Sequence, residues 1–287
     1  PPMIKASILR LFHRFGYRLE RQAGPVDVRA AGNDPRQWLG HPVRGVLVAA
    51  PRTGGRIRFF PLEPGTNPFV RAAAEALAAD DPGGAIRSVL GRHYEAVQPR
   101  RLQDWAGLED AEAPGLPEAP VWAVPEPWTP ATLAQKTAAM EGVARRESRG
   151  LGRELSAAHG DKAYGPVTED KLRAESARLL AALDSIRRSG YRRHDRADGD
   201  IEALVFLRED GEWRWQVSRG LHRAAVLAAL ETDPIPVRVR GLVFRSDAGV
   251  WPNVVSGLYT RRGAEKMFDR IFDGAGTPAS SGGGPER

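Results

Sequence analysis

Apolar positions recur at helical spacing in the second half of the chain. Four leucine and isoleucine side chains mark the pattern: Leu172, Leu179, Leu183 and Ile186. A helix is therefore predicted between Thr168, a candidate N-cap, and Gly190, a residue type that commonly ends helices. Glu169 and Asp170 suit its first turn, because the positive end of a helix favours carboxylates.

The next pattern is that of a hairpin followed by a helix and a strand. The runs ALVFL and WRWQV predict two strands joined by a tight turn at Glu209-Asp210-Gly211. The run LHRAAVLAAL predicts a buried helix, and IPVRVRGLVF predicts a further strand.

Residues 24–110 predict a small α+β unit. The runs VRGVLVAA and RIRFFPL are typical of strands, and the intervening PRTGG is a hairpin signal. Two helical patterns follow, the first with Asn67 as its candidate N-cap.

Proline and glycine divide the rest of the chain. Residues 111–130 hold six prolines and show no helical period, which predicts an extended linker. Residues 131–273 form the denser C-terminal unit and begin with a predicted helix capped by Thr129. The Gly/Ser-rich residues 274–287 predict a disordered tail. The predicted fold class is therefore α+β.

Residues 1–22 predict a basic amphipathic helix. Apolar residues recur at helical spacing, and lysine and arginine lie mostly off that stripe. Such a helix can lie in a membrane interface, so an anionic membrane surface is a candidate partner of residues 3–20. The alternative is packing on the body of the protein or on another protein.

The composition limits the types of reaction and the cellular locations that we expect for this protein. The 287 residues carry a formal net charge of +6, made mainly by arginine, which suits contacts with phosphate or carboxylate. The absence of cysteine excludes disulfides, thiolate catalysis and cysteine-based metal sites. No apolar run has the length of a membrane-spanning helix. We expect a cytoplasmic protein, with a peripheral position at the inner membrane if the basic helix binds there.

The stretch SRGLHR carries the strongest candidate chemistry. Gly220 permits a close backbone turn, and Leu221, His222 and Arg223 fall in the first turn of the predicted helix. Basic residues are unfavourable at that end unless an anion binds there, because the free N–H groups and the helix dipole are already positive. A phosphate held by the backbone amides and by Arg223 resolves the conflict. Ser218 is a further candidate for this site.

A structural role is the alternative for the same residues. Arg223 then pairs with a nearby carboxylate, and His222 packs as a polar core residue. Spacing alone does not decide between the two interpretations.

Residues 164–243 resemble the ParB/sulfiredoxin-like domain. That family has a helix ending in S-I-x-x-x-G, a strand pair, a G-x-x-R box that opens a helix, and a closing I-P-V strand. The matching residues, in chain order, are Ser185, Ile186, Gly190, Gly220, Arg223, Ile235, Pro236 and Val237. The motifs match in both order and spacing.

The resemblance implies nucleotide binding at the G-x-x-R box, and so a role for Gly220, His222 and Arg223 in holding ATP or CTP. Leu221 stands where the partitioning proteins have glutamate, which argues against their CTP hydrolysis, and the lack of cysteine excludes sulfiredoxin chemistry. GLHR is closer to the G-H-H-R-like box of the family's free-amino-acid kinases.

A kinase also needs a carboxylate base and oxygen ligands for Mg²⁺. The candidates nearest the box in sequence are Asp198, Asp200 and Glu202, with Asp200 as the candidate metal ligand, and Glu169 is a fourth. The alternative for each is an ordinary solvated acid in a turn.

The segment VWPNVVSGLYTRRGAEKMFDRIFDG resembles chains encoded among bacterial surface-polysaccharide genes. The leading hypothesis is a nucleotide-binding protein that transfers a phosphoryl group to a small metabolite or glycan precursor, as an ATP- or CTP-dependent kinase or NTPase. The alternative is a non-catalytic nucleotide sensor or docking module at the membrane edge. DNA binding is disfavoured, because the arginines are spread along the chain and no recognition helix is evident.

Overall fold

The computed structural model describes residues 26–30, 34–38, 45–116, 119–148, 154–192 and 200–276. The predicted amphipathic helix of residues 1–22, most of the predicted tail and the candidate Asp198 lie outside the described residues.

The described chain is built on one mixed sheet of seven strands in the order β1-β2-β7-β5-β6-β3-β4. The strands are β1 (Val26–Asp27), β2 (Val46–Ala50), β3 (Gly55–Ile57), β4 (Phe60–Pro61), β5 (Glu202–Leu207), β6 (Trp213–Arg219) and β7 (Ile235–Phe244). Strand β5 is central, antiparallel to β6 and parallel to β7. Strands β1–β4 precede the predicted linker of residues 111–130, and strands β5–β7 follow it. The sheet therefore combines strands from both sides of that segment.

The predicted hairpin ALVFL–WRWQV is confirmed, and the one across PRTGG is wrong. Strand β2 pairs with β1 and β7, whereas β3 pairs with β4 and β6. Four of the five residues of β2 are buried, which is typical of a strand with neighbours on both sides. The segment between β2 and β3 contacts the residues just before β7, since the Arg52 backbone N–H donates to Asp233 Oδ1 at 2.9 Å.

Eight α-helices surround the sheet within the described residues. They are α1 (Pro68–Ala78), α2 (Pro82–Ala96), α3 (Leu102–Ala106), α4 (Leu133–Ser148), α5 (Glu169–Ser189), α6 (Leu221–Ala229), α7 (Pro252–Val255) and α8 (Arg261–Asp273). Asn67 and Thr168 cap α1 and α5 as predicted, each accepting hydrogen bonds from backbone N–H groups of the first turn. The described chain is therefore a mixed helix-and-sheet structure, which confirms the predicted α+β class at this coarse level.

The predicted cap of α4 is wrong. Thr132, not Thr129, precedes this helix: its Oγ1 accepts from the Gln135 N–H at 3.2 Å, and Gln135 Oε1 accepts from the Thr132 N–H at 2.9 Å. This reciprocal pair is a capping box. Thr129 instead donates through its hydroxyl to the Glu126 carbonyl at 3.0 Å, inside the preceding turn.

Each face of the sheet carries its own hydrophobic core, and alternate residues of β5 enter different cores. Val205 and Leu207 pack with α1, α2, α5 and α6 on one face. Phe206 packs on the other face with α8 and with residues of the Pro-rich segment, among them Leu116, Ala119 and Val124. Successive side chains of a strand point to opposite faces, so one strand supports both layers. None of the helices in the described residues is both long and apolar enough to cross a bilayer.

Candidate functional site

A cleft of about 560 Å³ lies between the C-terminal half of α5 and the start of α6. Gly220, His222 and Arg223 line it from the α6 side, and Ser185 and Ser189 line it from α5. The structure thus brings three of the four predicted nucleotide-binding residues to one cavity. Its volume lies within the range of small-molecule sites.

Gly220 shapes the mouth of this cleft. It is the N-cap of α6 with a left-handed backbone, φ 83° and ψ 30°, and its carbonyl accepts the first helical hydrogen bond, from the Ala224 N–H at 2.9 Å. Gly220 has no side chain with which to cap the helix, and no side chain of the described residues is recorded in that role. The backbone N–H groups of the first turn are therefore available to an anion, which the helix dipole also favours.

The charged side chains at the cleft are cationic. Four arginines line it: Arg178, Arg192, Arg219 and Arg223. Arg178 is balanced by ion pairs with Glu147 and Glu175, both at 3.3 Å. No carboxylate is among the described residues that line the cleft. Arginine side chains suit contacts with an anionic ligand such as phosphate.

One wall of the cleft is apolar. Ala181, Ala182 and Ile186 present it along α5, and the ring of Tyr191 lies just beyond the end of that helix. The Tyr191 hydroxyl accepts a hydrogen bond from the Ile201 N–H at 3.3 Å, which ties this aromatic residue to the start of the central strand. The cleft therefore offers a cationic end and an apolar wall side by side.

His222 is held by a buried carboxylate. Its Nε2 lies 2.9 Å from Glu175 Oε2, and its ring packs edge-on against Phe69 at 5.5 Å between centroids. Glu175 is fully buried in the middle of α5. Burial alone raises the pKa of its carboxyl group, but the hydrogen bond from His222 and the ammonium group of Lys171 hold that pKa well below its usual value. Glu175 is therefore a carboxylate at neutral pH.

Lys171 completes this buried network. Its Nζ lies 2.8 Å from Glu175 Oε1 and 2.6 Å from Glu147 Oε2. Burial lowers the pKa of Lys171, but the two carboxylates raise it above its usual value. Two carboxylates thus share the Lys171 and Arg178 cations, and Glu175 alone of the two also contacts His222.

Ser218 and the three predicted acids that the structure describes, Asp200, Glu202 and Glu169, are not among the residues that line the cleft. Ser218 lies on β6 with its side chain exposed. The buried Asp200 carboxylate is 2.8 Å from the Arg238 guanidinium, and Glu202 lies 3.9 Å from the same side chain. Asp200 still lies near the mouth, because the next residue, Ile201, places its Cα 3.3 Å from where a Cβ on Gly220 would be.

Glu169 lies at the opposite end of α5 from the cleft. Its exposed carboxylate pairs with Arg87 and, at 3.6 Å, with Arg173. About nine residues of helix separate it from Arg178, a rise of roughly 13 Å. The fourth predicted acid, Asp198, is outside the described residues.

The predicted metal ligand Asp200 is paired with an arginine. Within the described residues, no group of three or more His, Asp and Glu side chains is arranged to hold a metal ion, and the Asp200 carboxylate faces the Arg238 cation. Mg²⁺ is usually bound by one or two carboxylates together with the phosphates of a substrate, and the cleft offers the cation no described carboxylate.

Sequence reasoning missed Glu175, although one signal was present. Residue 175 lies three positions after Leu172 and four before Leu179, so a glutamate stands on the apolar stripe of α5. A charge at such a position is almost never buried without a partner. Glu175 is 47 residues from His222 in sequence, so an acid chosen for its closeness to the box in sequence could not be Glu175.

Comparison with protein-family models finds no match to this chain, and comparison with curated proteins finds none either. The resemblance to the ParB/sulfiredoxin-like domain stays a prediction that depends on the quoted motifs.

Proposed function

We propose that the cleft binds a nucleotide through its phosphates, at the start of α6. The observation that carries the proposal is the arrangement of Arg192, Arg219 and Arg223 around an uncapped helix N-terminus, in a cleft whose described lining has no carboxylate. Arginine forks and backbone N–H groups together form a recurring phosphate site.

The apolar wall favours a nucleotide over free phosphate. A base can lie against Ala181, Ala182 and Ile186 while its phosphates reach the arginines. Small-molecule sites usually combine such apolar walls with a few polar groups that fix orientation. ATP and CTP are the candidates, in agreement with the family that the motifs resemble, and we propose the ParB/sulfiredoxin-like fold for the same residues.

Phosphoryl transfer to a small metabolite or glycan precursor is the reaction that we propose for the bound nucleotide. Any Mg²⁺ would be carried in by the phosphates. The non-catalytic sensor remains the competing proposal for the same cleft, and both require the nucleotide to bind.

Calorimetric titration with ATP, CTP and GTP, each with Mg²⁺, tests the binding. We expect Arg223→Ala to weaken binding at least about tenfold, because it removes a charge-assisted contact. Arg261→Ala is the matched control: this exposed arginine pairs with Glu265 on α8, away from the cleft, and its loss changes the net charge equally. Equal affinity of the two variants, or no binding of any nucleotide to the wild-type protein, contradicts the proposal.

A further inference from the structure

The ring of His222 joins the cleft to the buried charges behind it. His222 lines the cleft, and its Nε2 contacts the buried Glu175. A carboxylate can only accept hydrogen bonds, so the proton of a neutral imidazole is on Nε2 in this contact. Nδ1 then carries the lone pair, and it makes no hydrogen bond to any other described residue.

The other charged side chains among the described lining residues cannot accept a proton. The guanidinium groups of Arg178, Arg192, Arg219 and Arg223 stay protonated and only donate hydrogen bonds. Ser185 and Ser189 are weak bases. Nδ1 of His222 is thus the strongest proton acceptor among the described lining side chains.

We propose that Glu175 and His222 act as a pair in phosphoryl transfer: Glu175 is a positioning residue, and His222 Nδ1 accepts the proton of the attacking hydroxyl. This proposal depends on the proposed nucleotide binding. It assigns the general base to His222 at the cleft, whereas the sequence analysis considered four acids for that role: Asp198, Asp200, Glu202 and Glu169.

The step balances with a nucleoside triphosphate as the phosphoryl donor. The oxygen of the hydroxyl forms a bond to the terminal phosphorus, and the bond from that phosphorus to the bridging oxygen breaks. The bridging oxygen keeps the electron pair and leaves with the nucleoside diphosphate. The hydroxyl proton moves to Nδ1, and the resulting imidazolium is stabilised by the Glu175 carboxylate, as in other carboxylate–histidine pairs.

The chain offers a matched control for Glu175. Glu147 pairs with the same Lys171 and Arg178 and has no contact with His222. Glu175→Gln and Glu147→Gln each remove one negative charge from the network, but only Glu175→Gln changes the partner of the imidazole. Thermal unfolding of both variants checks that they fold.

Two readouts test the pair in the full chain. Nitrogen-15 NMR of the histidine rings reports the tautomer: we expect Nε2–H for His222 in the wild type and in Glu147→Gln, and a mixture of tautomers in Glu175→Gln. Phosphate release from ATP and CTP, with water as the hydroxyl, is expected to fall by about 100-fold in His222→Gln and in Glu175→Gln and to stay near the wild-type rate in Glu147→Gln.

The outcomes separate the two proposals. If the wild-type protein binds no nucleotide, the proposed function fails. If it binds nucleotide normally but releases no phosphate, or if Glu175→Gln and Glu147→Gln behave alike in both readouts, the base assignment is overturned and nucleotide binding stands.

Discussion

The guanidinium group of Arg223 lies across the backbone of Gly220. Its Nη2 is 3.0 Å from the position that a Cβ would occupy on this glycine, and the Cα of Ile201 is 3.3 Å from the same point. The left-handed backbone of Gly220 and the absence of its side chain therefore both shape the mouth of the cleft.

Gly220→Ala is expected to destabilise the protein and to weaken nucleotide binding. Alanine is strained at φ 83°, at a cost of about 1–2 kcal/mol, and its Cβ displaces Arg223. Gly257→Ala is the control, because Gly257 has φ 79° and, apart from its chain neighbours, no described atom lies within 4 Å of where its Cβ would be. We expect similar urea-unfolding losses from both changes and weaker ATP binding from the first alone. Normal binding by Gly220→Ala contradicts the assignment of the site.

The pair of Asp200 and Arg238 gives a second prediction, which separates a structural acid from a catalytic one. The Asp200 side chain is 1% exposed and 2.8 Å from the guanidinium. Asp200→Leu removes the nearer of the two carboxylates described beside Arg238 and leaves Glu202 at 3.9 Å, so the change is expected to cost about 3 kcal/mol in the free energy of unfolding.

The double variant Asp200→Leu with Arg238→Met is expected to recover part of that loss, because it removes both charges but also takes the Arg238 cation away from Glu202. Urea unfolding measures the stability, and phosphate release per folded molecule measures the chemistry. A double variant that is stable yet inactive would return Asp200 to the catalytic role that the sequence suggested.

Local patterns predicted many of the elements. The stripe of α5, the hairpin of β5 and β6, and the alternating apolar residues of β7 each depend on neighbours in sequence, and the structure contains all three. Gly220 and Arg223 could be singled out for the same reason, since they stand in one short motif, and both line the cleft.

Contacts between distant segments were not predictable. Glu175 and His222 are 47 residues apart, and only the packing of α5 on α6 brings them together. The register of β2 against β7 joins residues about 190 positions apart, so its apolar run could not reveal its neighbours. The hairpin across PRTGG was predicted from a local turn signal, and the sheet order overrode it.

Asp269 gives a prediction on acid stability. Arg245 contacts both oxygens of this carboxylate at 2.9 Å, and Arg208 adds a contact at 3.1 Å. Burial raises the pKa of the Asp269 carboxyl group, but the two arginines outweigh it and lower that pKa below its usual value of 3.8. A lowered pKa in the folded state adds stability above the unfolded pKa, and this contribution is lost as the pH falls through the folded value.

Asp269→Asn is therefore expected to reduce stability at pH 6 and to reduce it less at lower pH. Urea unfolding of both proteins between pH 6 and pH 3 checks this. The stability difference should stay constant down to about pH 4 and shrink below it. A difference that is the same at pH 3 would show that the ion pairs of Asp269 do not titrate in this range.

Asn253 connects the Pro-rich segment to the second face of the sheet. This buried residue places its Nδ2 within 2.9 Å of the carbonyl oxygens of Glu126 and Thr129, and 3.2 Å from that of Ala131. Its backbone N–H also donates to the Pro127 carbonyl at 3.1 Å. One amide group thus satisfies carbonyls in the turn before α4 that have no strand or helix to pair with.

Asn253→Ala is expected to cost about 1–3 kcal/mol in the free energy of unfolding, because the partly buried carbonyls of Thr129 and Ala131 lose this donor. Asn253→Asp is expected to cost more, since a carboxylate donates no hydrogen bond and would face three carbonyl oxygens. Urea unfolding compares the two with Ser256→Ala, a change at an exposed position just after α7. Nucleotide affinity should be unchanged in all three variants, because the cleft lies on the opposite face of the sheet. An Asn253→Asp variant as stable as the wild type would show that the amide donor does not hold the segment in place.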